Sequence, residues 1–196
     1  MRRIAPERYA RTADVWNDKP VVAVFGSSKA IEGDELYGQA RVLGRLLARE
    51  GFVVCNGGYG GVMEASARGA SEMGGFTIGL TTTVFEDGDA NPYIARQITN
   101  TTLFERLANF VNLAEAFVAL KGGVGTLAEF SVIWNLMQTR ALGPRPFILL
   151  GDHWRDVIET LRRQMVVREK DARLFRMVSS PEQTLEVLKK YLPIKP

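Results

Sequence analysis

The segment Ala114–Glu129, AEAFVALKGGVGTLAE, constrains the fold of this chain more than any other stretch. Ala116–Leu120 is short and continuously apolar, which suits a strand buried on both faces better than an amphipathic helix. Gly122, Gly123 and Gly125 follow at once, and a helical pattern opens behind them. Glycines let the backbone approach a ligand and aim its N–H groups at it. The helix that follows adds about half a positive charge at the same spot. An anionic group is therefore expected at Gly122, Gly123, Val124, Gly125 and Thr126. The letters also admit a purely local reading, because Thr126-x-x-Glu129 fits a capping box with Thr126 at the N-cap and Glu129 at N3.

The same unit recurs along the chain. Val21–Phe25 runs into Gly26-Ser27-Ser28, and Phe52–Cys55 runs into Asn56-Gly57-Gly58-Tyr59-Gly60-Gly61. Helices are expected over Asp34–Glu50, Val62–Met73, Leu103–Leu113, Thr126–Thr139, Trp154–Arg168 and Pro181–Tyr191, with further strands at Phe76–Leu80 and Pro146–Leu150. Thr81–Tyr93 reads as a long polar loop bearing Glu86, Asp87 and Asp89, a length often tied to function. Alternating strands and helices imply a single-domain, Rossmann-like, doubly wound parallel sheet with helices on both faces. We assign residues 1–19 to an N-terminal arm and 20–196 to this nucleotide-binding domain. In such sheets ligands bind beyond the carboxyl ends of the strands, where three of the glycine- or serine-rich turns converge.

Composition narrows the chemistry. Lys plus Arg number 25 against 22 for Asp plus Glu, and a net charge of +3 gives no footing for a nucleic-acid or membrane surface. Cys55 is the sole cysteine and His153 the sole histidine. Disulfides within the chain, zinc cages and Ser-His-Asp catalysis are thus poorly provided for, and no metal or redox cofactor is expected. A lone cysteine and the lack of an apolar leader or long apolar run point to a cytoplasmic protein. His153, beside Trp154 at a helix start, suits a surface or capping role. Met63, Met73 and Met137 suit the core, and Trp134 a packing or dimer contact.

Two patterns can be set aside. Gly123-x-Gly125-x-x-Ala128 matches a dinucleotide fingerprint but lies late in the chain, with no acidic residue ending the next strand. A Walker A loop would need Lys-Ser/Thr after the glycines.

The run from Gly57 to Gly75, GGYGGVMEASARGASEMGG, taken together with KGGVGTLAE at Lys121–Glu129, resembles the Lonely Guy family of nucleoside 5′-monophosphate phosphoribohydrolases. That family carries, roughly, G-G-x-x-G-x-M-E-A-x-x-R-G-A and then P-G-G-x-G-T-x-x-E. Phe104-Glu105-Arg106 resembles its F-x-R-K segment, Gln138-Thr139 its Gln-Thr, and the likeness spans about residues 21–160. The resemblance implies a nucleoside monophosphate as ligand, Arg106 and Glu129 as catalytic residues, Gly122–Thr126 as phosphate cradle, and a homodimer. Lys121 replaces the usual proline, Leu107 the lysine after the arginine, and Ala128 an acidic residue found in many members.

The chemistry also stands on the residues themselves. Breaking a base–ribose bond passes through an oxocarbenium-like state that a carboxylate such as Glu129 can stabilise while orienting water. Arg106 can pair with that carboxylate, hold phosphate or stabilise the departing base; alone, it would be a surface charge. Gly26, Ser27, Ser28, Gly58, Gly60, Glu64 and Asn135 are the candidate ribose and base contacts. Ser27 and Ser28 equally suit helix capping, and Glu64 equally suits a first-turn dipole partner. The competing reading is a non-catalytic carrier or sensor of a phosphate-bearing ligand, of the molybdenum-cofactor carrier type.

Overall fold

The computed structural model describes residues 19–85 and 89–192. Residues 1–18 of the proposed arm, together with Glu86 and Asp87, lie outside the described residues. Thirteen elements alternate: β1 (Val21–Phe25), α1 (Glu35–Arg49), β2 (Val53–Asn56), α2 (Val62–Glu72), β3 (Thr77–Thr82), β4 (Arg96–Asn100), α3 (Leu103–Leu113), β5 (Ala116–Ala119), α4 (Val124–Gln138), β6 (Phe147–Leu150), α5 (His153–Gln164), β7 (Arg176–Val178) and α6 (Pro181–Tyr191). The strands form one parallel sheet in the order β4-β3-β2-β1-β5-β6-β7. This is the doubly wound Rossmann-like arrangement expected from the sequence.

Strand parity divides the core. Val21, Ala23, Phe25, Phe117, Ala119, Phe147 and Leu149 pack with Phe110, Phe130, Ile133 and Trp154 on the face that carries α3, α4 and α5. Val22, Val24, Val54, Val118 and Ile148 pack with Leu43, Leu47, Val62, Ala65 and Leu188 on the face of α1, α2 and α6. Each fully buried aliphatic or aromatic side chain contributes about 1.5–3 kcal/mol, so the central strands tolerate no polar substitution on either side. Helices α1 and α2 meet backbone to backbone. A Cβ on Gly44 would strike the Ser66 carbonyl and one on Gly69 the Arg41 carbonyl, so Gly69 of the long motif is a packing residue.

Several expectations are corrected. Helix α4 begins at Val124 with Gly123 as its N-cap and no side-chain cap bond, so Thr126 and Glu129 form no capping box. Gly123 is already extended and turns the chain itself, which leaves Thr126 buried inside the first turn, 4% exposed. Met73 is 46% exposed at the end of α2 rather than in the core, while Met63 and Met137 are buried. Strands β4 and β7 were unforeseen. They are short sheet edges with mostly exposed side chains, held by pairing to β3 and β6 and not by apolar patterning. Helix α5 stops at Gln164, short of Arg168.

Candidate functional site

The chain winds outward from β1 to β4, then α3 returns it to β5 on the other side of β1. The switch in strand order thus falls between β1 and β5, where a crevice opens beyond the strand ends. Backbone bonds knit the two turns there. The Ser27 N–H donates to the Lys121 carbonyl at 3.0 Å, and the Val62 N–H donates to the Ser27 carbonyl at 2.8 Å. A side chain on Gly26 would run into Val62, and one on Gly61, at φ 69°, into the Ser27 carbonyl. These glycines bring β1, α2 and β5 close enough to share one cleft of about 1030 Å³.

The cleft gathers Gly26, Ser27, Ser28, Gly60, Gly123, Val124, Gly125, Thr126, Arg106 and Glu129. Helix α4 presents its uncapped first turn to this space, and the first N–H groups of a helix have no acceptor within it. Gly123 and Gly125 leave open space where a side chain would stand. Gly122 is a different case: it is exposed but does not line the cleft, and a Cβ there would collide with Thr126.

Arg106 reaches the cleft from α3. Its Nε donates to the Leu80 carbonyl at 2.5 Å and one terminal nitrogen to the Gly57 carbonyl at 3.2 Å. The guanidinium also lies 5.7 Å from the Tyr59 ring centroid and 5.5 Å from that of Phe110. Gly57 is required here, since a side chain would occupy the guanidinium's place. Asn109, one turn on, donates to the buried Asn100 side chain at 2.5 Å, which fixes the rotation of α3.

Glu129 stands on α4, half-buried. Withdrawal from solvent pushes its carboxyl up to about 7, against the opposing pull of the Arg106 charge. Among the described residues no ion pair joins Glu129 and Arg106, so each feels the other across a gap. A carboxyl that titrates near neutrality beside a fixed cation, at the mouth of a phosphate-sized helix terminus, is equipped for proton transfer and for stabilising positive charge.

Other expected contacts lie elsewhere. Glu64 accepts a hydrogen bond from the Tyr37 hydroxyl at 2.8 Å and does not line the cleft. Asn135 is exposed on α4, outside the lining. Gly58, at φ 82°, is buried beneath the turn; its carbonyl accepts from the Asn91 backbone and side chain. His153 neither caps α5 nor faces the cleft. It is half-buried, its Nε2 has no hydrogen-bond partner among the described residues, and burial together with the Lys121 charge lowers its pKa. Trp134 packs against Phe130 and Phe175 and donates to the Asp171 carbonyl at 2.8 Å. Cys55 is buried in β2, its thiol pushed up by desolvation. Among the described residues no three His, Cys, Asp or Glu side chains cluster as a metal site, and no helix is long and apolar enough to cross a membrane.

Sequence reasoning missed Lys29, Tyr59, Met63, Phe85 and Asn91, all of which line the cleft. Tyr59 alone gave a signal, as an aromatic side chain between glycines at a strand end.

The cytokinin riboside 5′-monophosphate phosphoribohydrolase of Mycobacterium marinum is 32% identical over 124 residues, 61% of this chain and 66% of that protein. The pyrimidine/purine nucleotide 5′-monophosphate nucleosidase of Escherichia coli is 28% identical over 154 residues, 74% of this chain; the match spans 34% of that longer protein. In structure, the molybdenum cofactor binding protein of Rippkaea orientalis superposes with a TM-score of 0.71 at 26% identity, covering 88% of this chain and 96% of that one. Residues 19–181 match the SLOG cluster4 family, which agrees with the motif resemblance, and the chain belongs to that family.

Proposed function

We propose that this protein hydrolyses the N-glycosidic bond of nucleoside 5′-monophosphates, releasing the free base and ribose 5-phosphate. The observation that carries the reading is the pairing of Glu129, titrating near 7, with the anchored guanidinium of Arg106 beside the uncapped N-terminus of α4. The phosphate takes the N–H groups of Gly123, Val124, Gly125 and Thr126. The ribose then lies beyond β1, near Ser27 and Ser28. Water attacks C1′, the C1′–N bond breaks, and its electron pair leaves with the base. Glu129 as carboxylate offsets the positive charge on the sugar and takes the proton from water, and that proton then passes to the departing base. Arg106 retains unspent donors toward the cleft, which suit the departing base or the phosphate. Membership of the SLOG cluster4 family and the names of the sequence relatives support the hydrolase class.

We also propose that it acts in the cytoplasm as a homodimer. Helix α4 carries one charged residue, Glu129, and turns Val124 and Leu127 outward at 84% and 45% exposure. Leu103 and Phe104, at 44% and 84%, are exposed at the start of α3 on the same face of the sheet. An outward surface this apolar is suited to covering by a second copy.

A second reading, a carrier of a phosphate-bearing ligand, is favoured by the likeness to the Rippkaea orientalis protein over nearly its whole length and by Leu107, which leaves Arg106 without a neighbouring cation. One experiment separates the two. Purified protein is incubated with nucleoside mono- and diphosphates and nucleosides, and free bases are quantified by chromatography. Base release from monophosphates alone supports the hydrolase; binding without release supports the carrier.

A further inference from the structure

The charged side chains that line the cleft are Lys29, Asp89, Arg106 and Glu129, and with Glu129 as a carboxylate their charges cancel. A phosphate monoester brings about −1.5 to −2 at neutral pH. The N-terminus of α4 answers with only about +0.5, and the glycine turn adds N–H groups but no cation. Holding a phosphate in a lining that also carries carboxylates therefore depends on where the cations stand.

Arg106 is fixed away from the origin of α4. The carbonyls that hold it belong to Gly57, after β2, and Leu80, in β3, and β1 lies between those strands and β5. Lys29 instead follows the end of β1, which pairs directly with β5. Adjacent strands lie about 5 Å apart, and the flexible lysine stem is longer than that. The backbone of its turn is stitched down. The Ser27 N–H donates to the Lys121 carbonyl at 3.0 Å, and the Lys29 N–H donates to the Ser27 Oγ at 3.0 Å. The start of α2 packs so closely that a Cβ on Gly61 would strike Ser27 and Ser28. The Lys29 side chain is left free: among the described residues no ion pair or side-chain hydrogen bond engages it, with Asp89 or any other partner. Lys121 adjoins Gly122 in sequence, but its charge is felt at the start of α5, beyond β6, where burial and then Lys121 lower the pKa of His153. Neither Lys121 nor His153 lines the cleft.

We propose that Lys29 is the cation that binds the ligand's phosphate, closing the α4 cradle from the β1 side, and that Lys121 takes no part in it. The inference rests on the nucleotide reading above and deepens it: backbone N–H groups and one flexible ammonium hold the phosphate, and Arg106 is left for the base–sugar bond. A contact so far from the reacting carbon is made alike in ground and transition states, so it acts on KM and not on kcat.

The test is calorimetric binding of ribose 5-phosphate, which has no base to lose, to the parent chain, Lys29→Ala, Lys29→Arg and Lys121→Ala, with steady-state kinetics on AMP beside it. Lys29→Ala should weaken ribose 5-phosphate about tenfold, the low end for a hydrogen bond to a charged group, because the lysine is exposed. Lys29→Arg keeps the charge and should stay within about threefold of the parent. Lys121→Ala should also stay within about threefold, the effect of a screened charge. With AMP, Lys29→Ala should raise KM about tenfold and leave kcat within about threefold. Raising ionic strength from about 0.01 M to about 0.15 M, which shortens the screening length from about 30 Å to about 8 Å, should weaken the parent more than Lys29→Ala. Melting temperatures should not move, since both lysines are exposed. Unchanged ribose 5-phosphate binding in Lys29→Ala, equal losses in Lys29→Ala and Lys121→Ala, or a fall in kcat at constant KM overturns the assignment of Lys29 alone. Failure of the parent chain to bind either ribose 5-phosphate or AMP overturns the nucleotide reading with it.

Discussion

Under the proposed reading, Glu129 serves stability and chemistry in opposite senses. Its folded-state pKa, raised from 4.5 to about 7, means that the folded chain keeps a proton that the unfolded chain has released. Stability contributed by the protonated form is therefore present below about 4.5 and is lost as pH rises to about 7. Glu129→Gln, which never ionises, should become more stable than the parent across that window, by up to about 3 kcal/mol well above pH 7. Melting curves from pH 4 to 8 check this; parallel curves would show that the carboxyl is not desolvated. Activity runs the other way. In the proposed mechanism hydrolysis needs the carboxylate, so kcat/KM should fall as pH drops through about 7, the limb that reports the free enzyme.

At the scale of elements, α3 and α2 each deliver an arginine from a recognised motif, and the structure gives them different surroundings. Arg106 is anchored on the carbonyls of Gly57, just after β2, and of Leu80, within β3. Arg68 instead joins Glu32 at 3.0 Å and Glu72 at 3.5 Å on the outer surface of α2. Arg106→Ala should lower kcat/KM for a monophosphate about a hundredfold, roughly 3 kcal/mol of transition-state stabilisation. Arg68→Ala should leave kinetics within a few-fold and lower the melting temperature slightly, as expected for surface ion pairs. Steady-state kinetics and melting on both variants decide it; equal, small kinetic losses would favour the carrier. The same contrast explains what could be read in advance. Strands β1, β2, β5 and β6 are buried on both faces, so their apolar runs announce them. The edges β4 and β7 carry Arg96, Gln97, Thr99 and Arg176 into solvent and become strands only through register with a neighbour. Tyr59 could not be placed because its anchor, Thr82, lies 23 residues away. Glu64 sits in a ligand-like motif, but the Tyr37 hydroxyl that occupies it lies 27 residues back on another helix and leaves no local signal.

At the scale of the whole molecule, the candidate site lies at a single seam, the reversal of strand order between β1 and β5, with the apolar outer surface of α4 close by. If that surface joins two copies, Leu127→Glu should convert a dimer to a monomer in analytical ultracentrifugation with little change in fold, whereas a parent protein already monomeric at micromolar concentration would remove the dimer. The central claim is that Glu129 and Arg106 together break the base–sugar bond, and it is tested most directly by free adenine released from AMP, followed by chromatography for the parent chain and Glu129→Gln. The account predicts adenine and ribose 5-phosphate in equal amounts from the parent and at least about a hundredfold less from the folded Glu129→Gln protein; AMP bound but left intact by the parent, or equal release by both, would contradict it.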